Sequence, residues 1–147
     1  MNLYLRKATI EDAQMILDWR NDPVTRMASF SKTEIDLQTH INWFRTRLES
    51  PDCFLFILMD DSVCVGQLRI DMVQNIGEIS YMIAPDKRGA GYGTRMIELA
   101  ENISLPNLKV LTGLVEKSNL PSRKCFLKNG YAEFVGGEIC SYIKVLK

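Results

Sequence analysis

The sequence has no excess charge of either sign. Its 18 lysine and arginine residues equal in number its 18 aspartate and glutamate residues, and both kinds are spread along the chain. A nucleic-acid-binding protein usually carries a basic excess on one face. The balance therefore argues against nucleic acid and favours a small-molecule or protein partner.

Long apolar segments are also missing. The longest apolar runs have the length of a strand, as at residues 54–59, whereas a transmembrane helix needs about 20 apolar residues. Near the start of the chain, Arg6, Lys7, Glu11 and Asp12 interrupt any hydrophobic region that a secretory signal requires. We therefore expect a soluble, cytoplasmic protein without a membrane partner.

The cysteines form no C-x-x-C pair. Cys53, Cys64, Cys125 and Cys140 are irregularly spaced and have apolar neighbours. This arrangement indicates reduced core residues, and we expect no metal site.

No linker, repeat or low-complexity segment divides the chain. A length of 147 residues suits one hydrophobic core. Residues 1–147 are therefore predicted to form a single domain, which we expect to be a monomer or a homodimer.

The spacing of apolar residues predicts the element order β-α-α-β-β-β-α-β-α-β-β. The first helix is expected to begin at a capping box in residues 9–12 and to end before Pro23, with a turn following through residues 27–32. Leu37, Ile41, Phe44 and Leu48 are then spaced as one stripe of a second helix, which would face the core.

A glycine-rich loop between the predicted fourth strand and third helix is the most informative segment. It runs over residues 88–94 and contains Gly89, Gly91 and Gly93. Glycines leave backbone N–H groups open to an anion, and the first turn of a helix adds unpaired donors and a positive dipole end. The loop is therefore predicted to bind phosphate, with Arg88 adding charge at its entrance.

Two common phosphate loops do not fit this spacing. A dinucleotide-binding G-x-G-x-x-G pattern would need glycine where Thr94 and Met96 stand, and a Walker loop would need a lysine after the last glycine. What does fit is R-x-x-G-x-G across Arg88, Gly91 and Gly93. This pattern resembles the acyl-coenzyme A signature of the GNAT N-acetyltransferase superfamily.

A second match to that superfamily lies downstream. Asn119, Ser122 and the pair Gly130-Tyr131 stand where relatives carry an asparagine, a small residue and a glycine-aromatic pair. Asn119 and Gly130 also fit simple helix caps, and the asparagine can cap a helix while it holds the pantetheine strand apart.

The resemblance covers essentially the whole chain, because the element order predicted from periodicity is the order of that fold. It implies an α/β (α+β) fold with a mixed, largely antiparallel central sheet flanked by about four helices. It also implies an acetyl-CoA-dependent N-acetyltransferase. The residues implied in cofactor binding are Met82, Ile83, Arg88, Gly89, Ala90, Gly91, Tyr92, Gly93, Thr94, Asn119, Ser122 and Phe126.

Acetyl transfer to an amine requires a polarised thioester carbonyl and a route for the proton that the nitrogen loses. Glu78 opens the predicted fourth strand, where the superfamily often keeps a glutamate that takes this proton through water. The alternative is a solvated residue at a strand end. The fold further implies that a backbone N–H near Met82 or Ile83 polarises the carbonyl.

Position 126 departs from many relatives, which place there a tyrosine that protonates the departing thiolate. Phe126 cannot donate a proton. The resemblance implies instead that its ring packs against the cofactor as a wall of the binding site. Tyr81, Tyr92 and Tyr131 are candidate substitutes. A thiol with a pKa near 8.5 can also leave as thiolate without help.

Substrate selection is expected in the first two helices. The pattern W-R-N...R...H-x-x-W-F, which includes Trp19 and Phe44, resembles the branch of the superfamily that acetylates nucleotide-linked amino sugars, of the pseudaminic acid pathway type. The residues implied in substrate binding are Arg20, Arg26, Phe30, His40, Trp43 and Tyr81.

Other interpretations of these residues stay open. A histidine on an amphipathic helix is commonly a packed residue, and the arginines fit an ordinary surface. The favoured substrate is a small-molecule amine, namely a nucleotide-linked 4-amino sugar. The alternatives are a protein N-terminal amine, as in ribosomal-protein acetyltransferases, and a non-catalytic acyl-coenzyme A binding module.

Overall fold

The fold is described from a computed structural model, which covers residues 2–146. The strands are β1 (Leu3–Lys7), β2 (Cys53–Asp60), β3 (Val63–Val73), β4 (Ile76–Ile83), β5 (Val110–Glu116), β6 (Ala132–Val135) and β7 (Ile139–Val145). The α-helices are α1 (Ala13–Asn21), α2 (Pro23–Ala28), α3 (Leu37–Glu49), α4 (Tyr92–Ala100) and α5 (Leu120–Lys128). Single 3-10 turns precede α1 and α4 at Ile10–Asp12 and Pro85–Lys87.

The seven strands form one sheet in the order β1-β2-β3-β4-β5-β7-β6. Only the pair β4 and β5 is parallel, and every other neighbouring pair is antiparallel. The predicted mixed, largely antiparallel sheet is confirmed. Within residues 2–146, no helix is both long enough and apolar enough to cross a membrane.

Helix α2 was not predicted. Pro23 ends α1 as expected, but it also begins α2, because proline fits the first position of a helix. The Asp22 carboxylate accepts hydrogen bonds from the N–H groups of Val24 and Thr25 at 3.1 and 3.2 Å, which caps the new helix. Part of the predicted turn through residues 27–32 is therefore helical.

The two faces of the sheet pack against different helices. On β2, Leu55 and Ile57 face α1 and α3, whereas Phe56 and Leu58 share a core with α4 and α5. This alternation is the two-residue period of a strand that is covered on both sides. We refer below to the α1/α3 face and the α4/α5 face of the sheet.

The parallel pair separates before its strands end. Pairing runs from Ile76 with Val110 to Ile79 with Gly113, yet β4 continues to Ile83 and β5 to Glu116. The carboxyl-terminal halves of the two strands thus lie apart, and a cleft opens between them.

Gly113 lies under the aromatic ring of Phe126, which is only 1% exposed. A Cβ atom built on Gly113 would overlap that ring. We expect Gly113→Ala to lower the free energy of unfolding by about 1–3 kcal/mol, because overpacking forces a buried ring from its place.

Urea denaturation measures this effect, and Gly137→Ala is the matched control. A Cβ atom at Gly137 meets no atom within 4 Å, and Gly137 has no positive φ. Equal stability of the two variants would contradict the proposed packing.

Candidate active site

The glycine loop connects β4 to α4 and is exposed. Gly89 and Gly91 adopt left-handed backbone with φ of 81° and 83°, and a Cβ atom on either would meet nothing within 4 Å. Gly91 is the N-cap of α4, so the N–H groups of the first turn have no partner inside the helix. Bare glycines beside unpaired donors at a helix N-terminus suit a phosphate group.

Gly93 has a different environment from Gly89 and Gly91. It is buried, and a Cβ atom there would lie 3.0 Å from the Cys125 sulfur and 3.3 Å from the ring of Tyr81. The last glycine of the signature therefore allows α4 to pack closely against α5 and β4. Only the first part of the loop is open to an anion.

Arg88 is paired within the protein. Its guanidinium donates to the Asp22 carboxylate at 2.7 Å and to the Thr25 hydroxyl at 2.5 Å. The contact with Arg88 holds the pKa of Asp22 below its usual range. Arg88 thus attaches the loop to the start of α2, and its charge is matched by Asp22. Its predicted contact with the cofactor stays a prediction.

Tyr92 is also engaged. Its hydroxyl donates to the Asp60 carboxylate at 2.6 Å, and that hydrogen bond raises the pKa of the tyrosine. The bond fixes the start of α4 to the end of β2 beside a surface cleft of about 360 Å³ that Lys87 also lines.

The backbone of β4 presents N–H groups to the cleft between β4 and β5. Ala84 donates its N–H to the Val65 carbonyl of β3 at 2.9 Å, and backbone groups alternate between the two neighbours of a strand. Met82 therefore turns its N–H toward β3. Tyr81 and Ile83 turn theirs toward the side where pairing with β5 has already ended. This corrects the expectation for Met82, whose side chain packs on the α1/α3 face.

Asn119 lies three residues after the end of β5. Its Oδ1 accepts the N–H of Ser122 at 3.3 Å and caps α5. It also lines a cavity of about 230 Å³ between the ends of β5 and α2, together with Glu116 and Met27. Asn119 is thus both the helix cap and a residue of this cavity.

The α2 segment crosses the cleft and is held at both ends. Arg88 binds Asp22 on the side of β4, and the Lys32 ammonium lies 2.6 Å from the Glu116 carboxylate at the end of β5. Lys32 also donates to the Met27 carbonyl at 2.9 Å. These contacts set the position of one wall of the cleft.

Tyr81 does not belong with the residues of α1 and α3. Its side chain faces α5, where its hydroxyl lies 2.7 Å from the Ser122 hydroxyl, and burial raises its pKa strongly. Its side chain therefore lies on the α4/α5 face of the sheet, and the prediction that Tyr81 binds substrate stays a prediction.

Phe126 is a core residue. Its ring stacks on Tyr142 at 4.9 Å and meets Tyr131 edge to face at 5.1 Å. At 1% exposure it does not line the open cleft, contrary to the expectation of a wall against the cofactor. Tyr131 is also buried, which raises its pKa.

Glu78 lies on the α1/α3 face of β4. It is exposed and stands between Asp71 of β3 and Thr112 of β5. Tyr81 is three residues away, roughly 10 Å along the strand. Glu78 can therefore serve an amine that enters from the α1/α3 face, through an intervening water.

Trp43 is the centre of a cluster on the same face. The guanidinium carbons of Arg69 and Arg47 lie 5.4 and 5.7 Å from the centre of its ring. Asp71 accepts from both arginines, at 3.0 and 3.4 Å. Arg69 also donates to the Ser80 hydroxyl at 3.2 Å. Arg47, Arg69 and Asp71 were not predicted, because Arg47 follows the motif on α3 and the other two lie on β3.

Arg20 lies near the end of α1. Its guanidinium donates to the Ser31 carbonyl at 3.5 Å, and its pKa is lowered by burial and by the nearby charge of Arg69. Arg26 and Phe30 lie instead on α2 and just after it. The Arg26 Nε is buried without a partner, and Phe30 is 57% exposed.

His40 is a structural residue. It is 3% exposed, its ring stacks on Phe44 at 5.7 Å, and its Nε2 lies 2.9 Å from the Ala13 carbonyl. A carbonyl only accepts hydrogen bonds, so Nε2 carries the proton. His40 joins α3 to α1 beneath Trp43, which corrects the expectation that it contacts substrate.

Comparison with known proteins identifies the family. Residues 2–132 match the acetyltransferase (GNAT) domain family. The chain therefore belongs to the GNAT acetyltransferases and is an acetyl-CoA-dependent N-acetyltransferase. No curated protein sequence is significantly similar to the chain.

Several solved structures share the fold at low identity. A spermidine N-acetyltransferase from Vibrio cholerae, in complex with CoA and spermine, is 16% identical with a TM-score of 0.86, covering 97% of this chain and 95% of that one. The aminoglycoside acetyltransferase AAC(6')-Ib, with ribostamycin and coenzyme A, is 15% identical with a TM-score of 0.87, covering 99% and 94%. An acetyltransferase from Thermus thermophilus is 19% identical with a TM-score of 0.83, covering 99% and 98%.

The single histidine makes one pH effect assignable. Burial, opposed in part by the hydrogen bond to Ala13, lowers the pKa of His40 below 6.5 in the folded protein. The unfolded chain then binds the proton more tightly. We therefore expect the free energy of unfolding to fall as the pH drops below about 6.5.

Denaturation at a series of pH values and NMR titration of the imidazole measure this effect. In His40→Gln the slope between about pH 5.5 and 7 should disappear. An imidazole titration midpoint at or above 6.5 would show that His40 is not buried as described.

Proposed function

We propose that this enzyme transfers acetyl from acetyl-CoA to the primary amine of a small polar acceptor, by direct attack of the amine on the thioester. Acetyl-CoA supplies the acetyl group in activated form. The observation that carries the proposal is the left-handed glycine pair at the N-terminus of α4 beside the open end of β4. Gly89, Gly91 and the first N–H groups of α4 would hold the pyrophosphate.

The cleft supplies the groups that the reaction needs. The N–H groups of Tyr81 and Ile83 would hold the carbonyl oxygen as negative charge develops on it, and Asn119 would keep the cofactor arm between β4 and β5. Glu78 would accept, through an intervening water, the proton that the amine loses when it forms the C–N bond and displaces the thiol of coenzyme A, which would depart as thiolate.

A general acid is not required for this departure. The pKa values of Tyr81, Tyr92 and Tyr131 are all raised, which makes each a weaker proton donor than a free tyrosine. A thiol with a pKa near 8.5 can leave as thiolate and take a proton from solvent afterwards. Phe126 is therefore compatible with turnover.

For the acceptor, we propose an amine on a nucleotide-linked 4-amino sugar. The sequence pattern around Trp19 and Trp43 supports this choice, because Arg20 would offer charge for a diphosphate and Trp43 an aromatic surface for a base. Spermine and ribostamycin, the ligands of two structural neighbours, also carry primary amines, which supports amine transfer in general.

The glycine loop is tested by Gly91→Val. A branched side chain at φ 83° strains the backbone and fills the space that the anion would occupy. We expect a loss of acetyl-CoA affinity of about tenfold or more in calorimetry, since a hydrogen bond to a charged group contributes about 1.5–3 kcal/mol.

Two variants separate strain from obstruction. Gly91→Asn keeps a residue that tolerates the left-handed region, so it should lose affinity through obstruction alone. Gly137→Val lies in open space in another turn and should leave binding unchanged. Wild-type affinity in Gly91→Val would mean that this loop does not bind the cofactor.

The base is tested by Glu78→Gln. Loss of general base catalysis typically lowers turnover by about 10²–10⁴-fold, whereas acetyl-CoA affinity should stay the same because Glu78 lies away from the glycine loop. The remaining rate should rise more steeply toward alkaline pH, where the amine is deprotonated by solvent. Stopped assays of thiol release measure both effects, with Glu11→Gln as a control at an exposed site. An unchanged rate would remove Glu78 from the mechanism.

A further inference from the structure

Three polar or charged residues are buried in the part of the chain that the structure describes, namely Asp12, His40 and Gln67. Asp12 is paired with Arg6 at 2.9 Å, and His40 is bonded to the Ala13 carbonyl. The side-chain amide of Gln67 has no hydrogen-bond partner among residues 2–146, although Gln67 is only 8% exposed. Gln67 therefore lacks the partner that a buried amide normally has.

Gln67 lies in the middle of β3 on the α1/α3 face of the sheet. The next residue, Leu68, belongs to the core with α4 and α5, and successive side chains of a strand point to opposite faces. The residues opposite Gln67 are Ile57 of β2 and Met82 of β4, and both belong to the apolar cluster with α1 and α3. Side chains of these two types are at best weak partners for an amide.

The amide of Gln67 is buried but not sealed. In the described residues, the side-chain polar atoms that are fully enclosed without a partner are the Arg26 Nε and the Tyr131 hydroxyl oxygen. The amide atoms of Gln67 are unpaired and are not among them, so they keep a small exposed area. A ligand on the α1/α3 face can therefore reach this amide.

Gln67 also lies next to the end of β4 that would bind the thioester. It stands opposite Met82, and the Cα atoms of opposite residues in an antiparallel pair are about 4.5–5.5 Å apart. Met82 lies between Tyr81 and Ile83, whose N–H groups would hold the thioester carbonyl. Glu78, the proposed base, is on the same face of β4. An amine that approaches the carbonyl from this face therefore brings its neighbouring atoms close to Gln67.

We propose that Gln67 is a specificity-determining residue of the acceptor pocket, and that its amide binds a hydroxyl group next to the reacting amine. The inference rests on the proposed function. A primary amide offers both donors and an acceptor without net charge, and a hydroxyl group can pair with it in either direction. A simple alkyl amine leaves the amide unpaired and is therefore the poorer acceptor.

The variant Gln67→Met tests this role through stability and specificity together. Methionine is unbranched and adapts to an apolar site, so removal of the unpaired amide should raise the Tm by about 2–4 °C. For the wild type we expect kcat/KM for 2-aminoethanol to exceed that for propylamine by roughly 10–100-fold, and Gln67→Met should lose this preference. Thiol release at saturating acetyl-CoA measures the preference, and thermal unfolding measures the Tm.

Two further variants serve as controls. Gln38→Met, at an exposed site of α3, should keep the Tm and the preference of the wild type. Gln67→Asn keeps an amide but shortens the side chain, so it should weaken the preference without a gain in Tm.

The inference is overturned if the wild type does not prefer 2-aminoethanol, or if Gln67→Met keeps that preference or is no more stable than the wild type. Each of these results leaves the proposed function intact as long as the wild type acetylates some primary amine. The proposed function fails if the wild type releases no thiol with any primary amine, and the inference then fails with it.

Discussion

The active cleft depends on backbone hydrogen bonds that β4 and β5 do not make. After Ile79 and Gly113 the two strands part, and the N–H groups of Tyr81 and Ile83 are left without a strand partner. Buried backbone donors need partners, so the cleft is suited to an extended, polar ligand that completes the sheet. The pantetheine arm of the cofactor has this character, and in that position it would bring the acetyl group beside the α1/α3 face of β4.

The separation of β4 and β5 leaves an opening next to α2. This short helix closes the mouth of the cleft, and ion pairs from Arg88 to Asp22 and from Lys32 to Glu116 hold it. Arg88, the signature residue that was expected to contact phosphate, thus connects the glycine loop to α2.

The sequence predicted the features that depend on residues close together in the chain. The glycine loop, the strand-to-helix order and the cap at Asn119 follow from spacing and from backbone chemistry, and these features have the expected form. Helix α2 was missed because Pro23 fits both the end of one helix and the first turn of the next. Phe126 and His40 were assigned to the site because spacing along a helix does not say whether a side chain ends at a cleft or in the core.

By itself the sequence determined the family, the element order and the candidate cofactor loop, since each depends on residues close together in the chain. The tertiary structure alone decided which face of the sheet each side chain occupies. It put Tyr81 against α5 and brought Arg69 of β3 against Trp43 of α3, although the last two residues are far apart in the sequence. The physical reason is that strand alternation and helix packing act across the fold, so charges that neutralise or repel one another meet only when the sheet has formed.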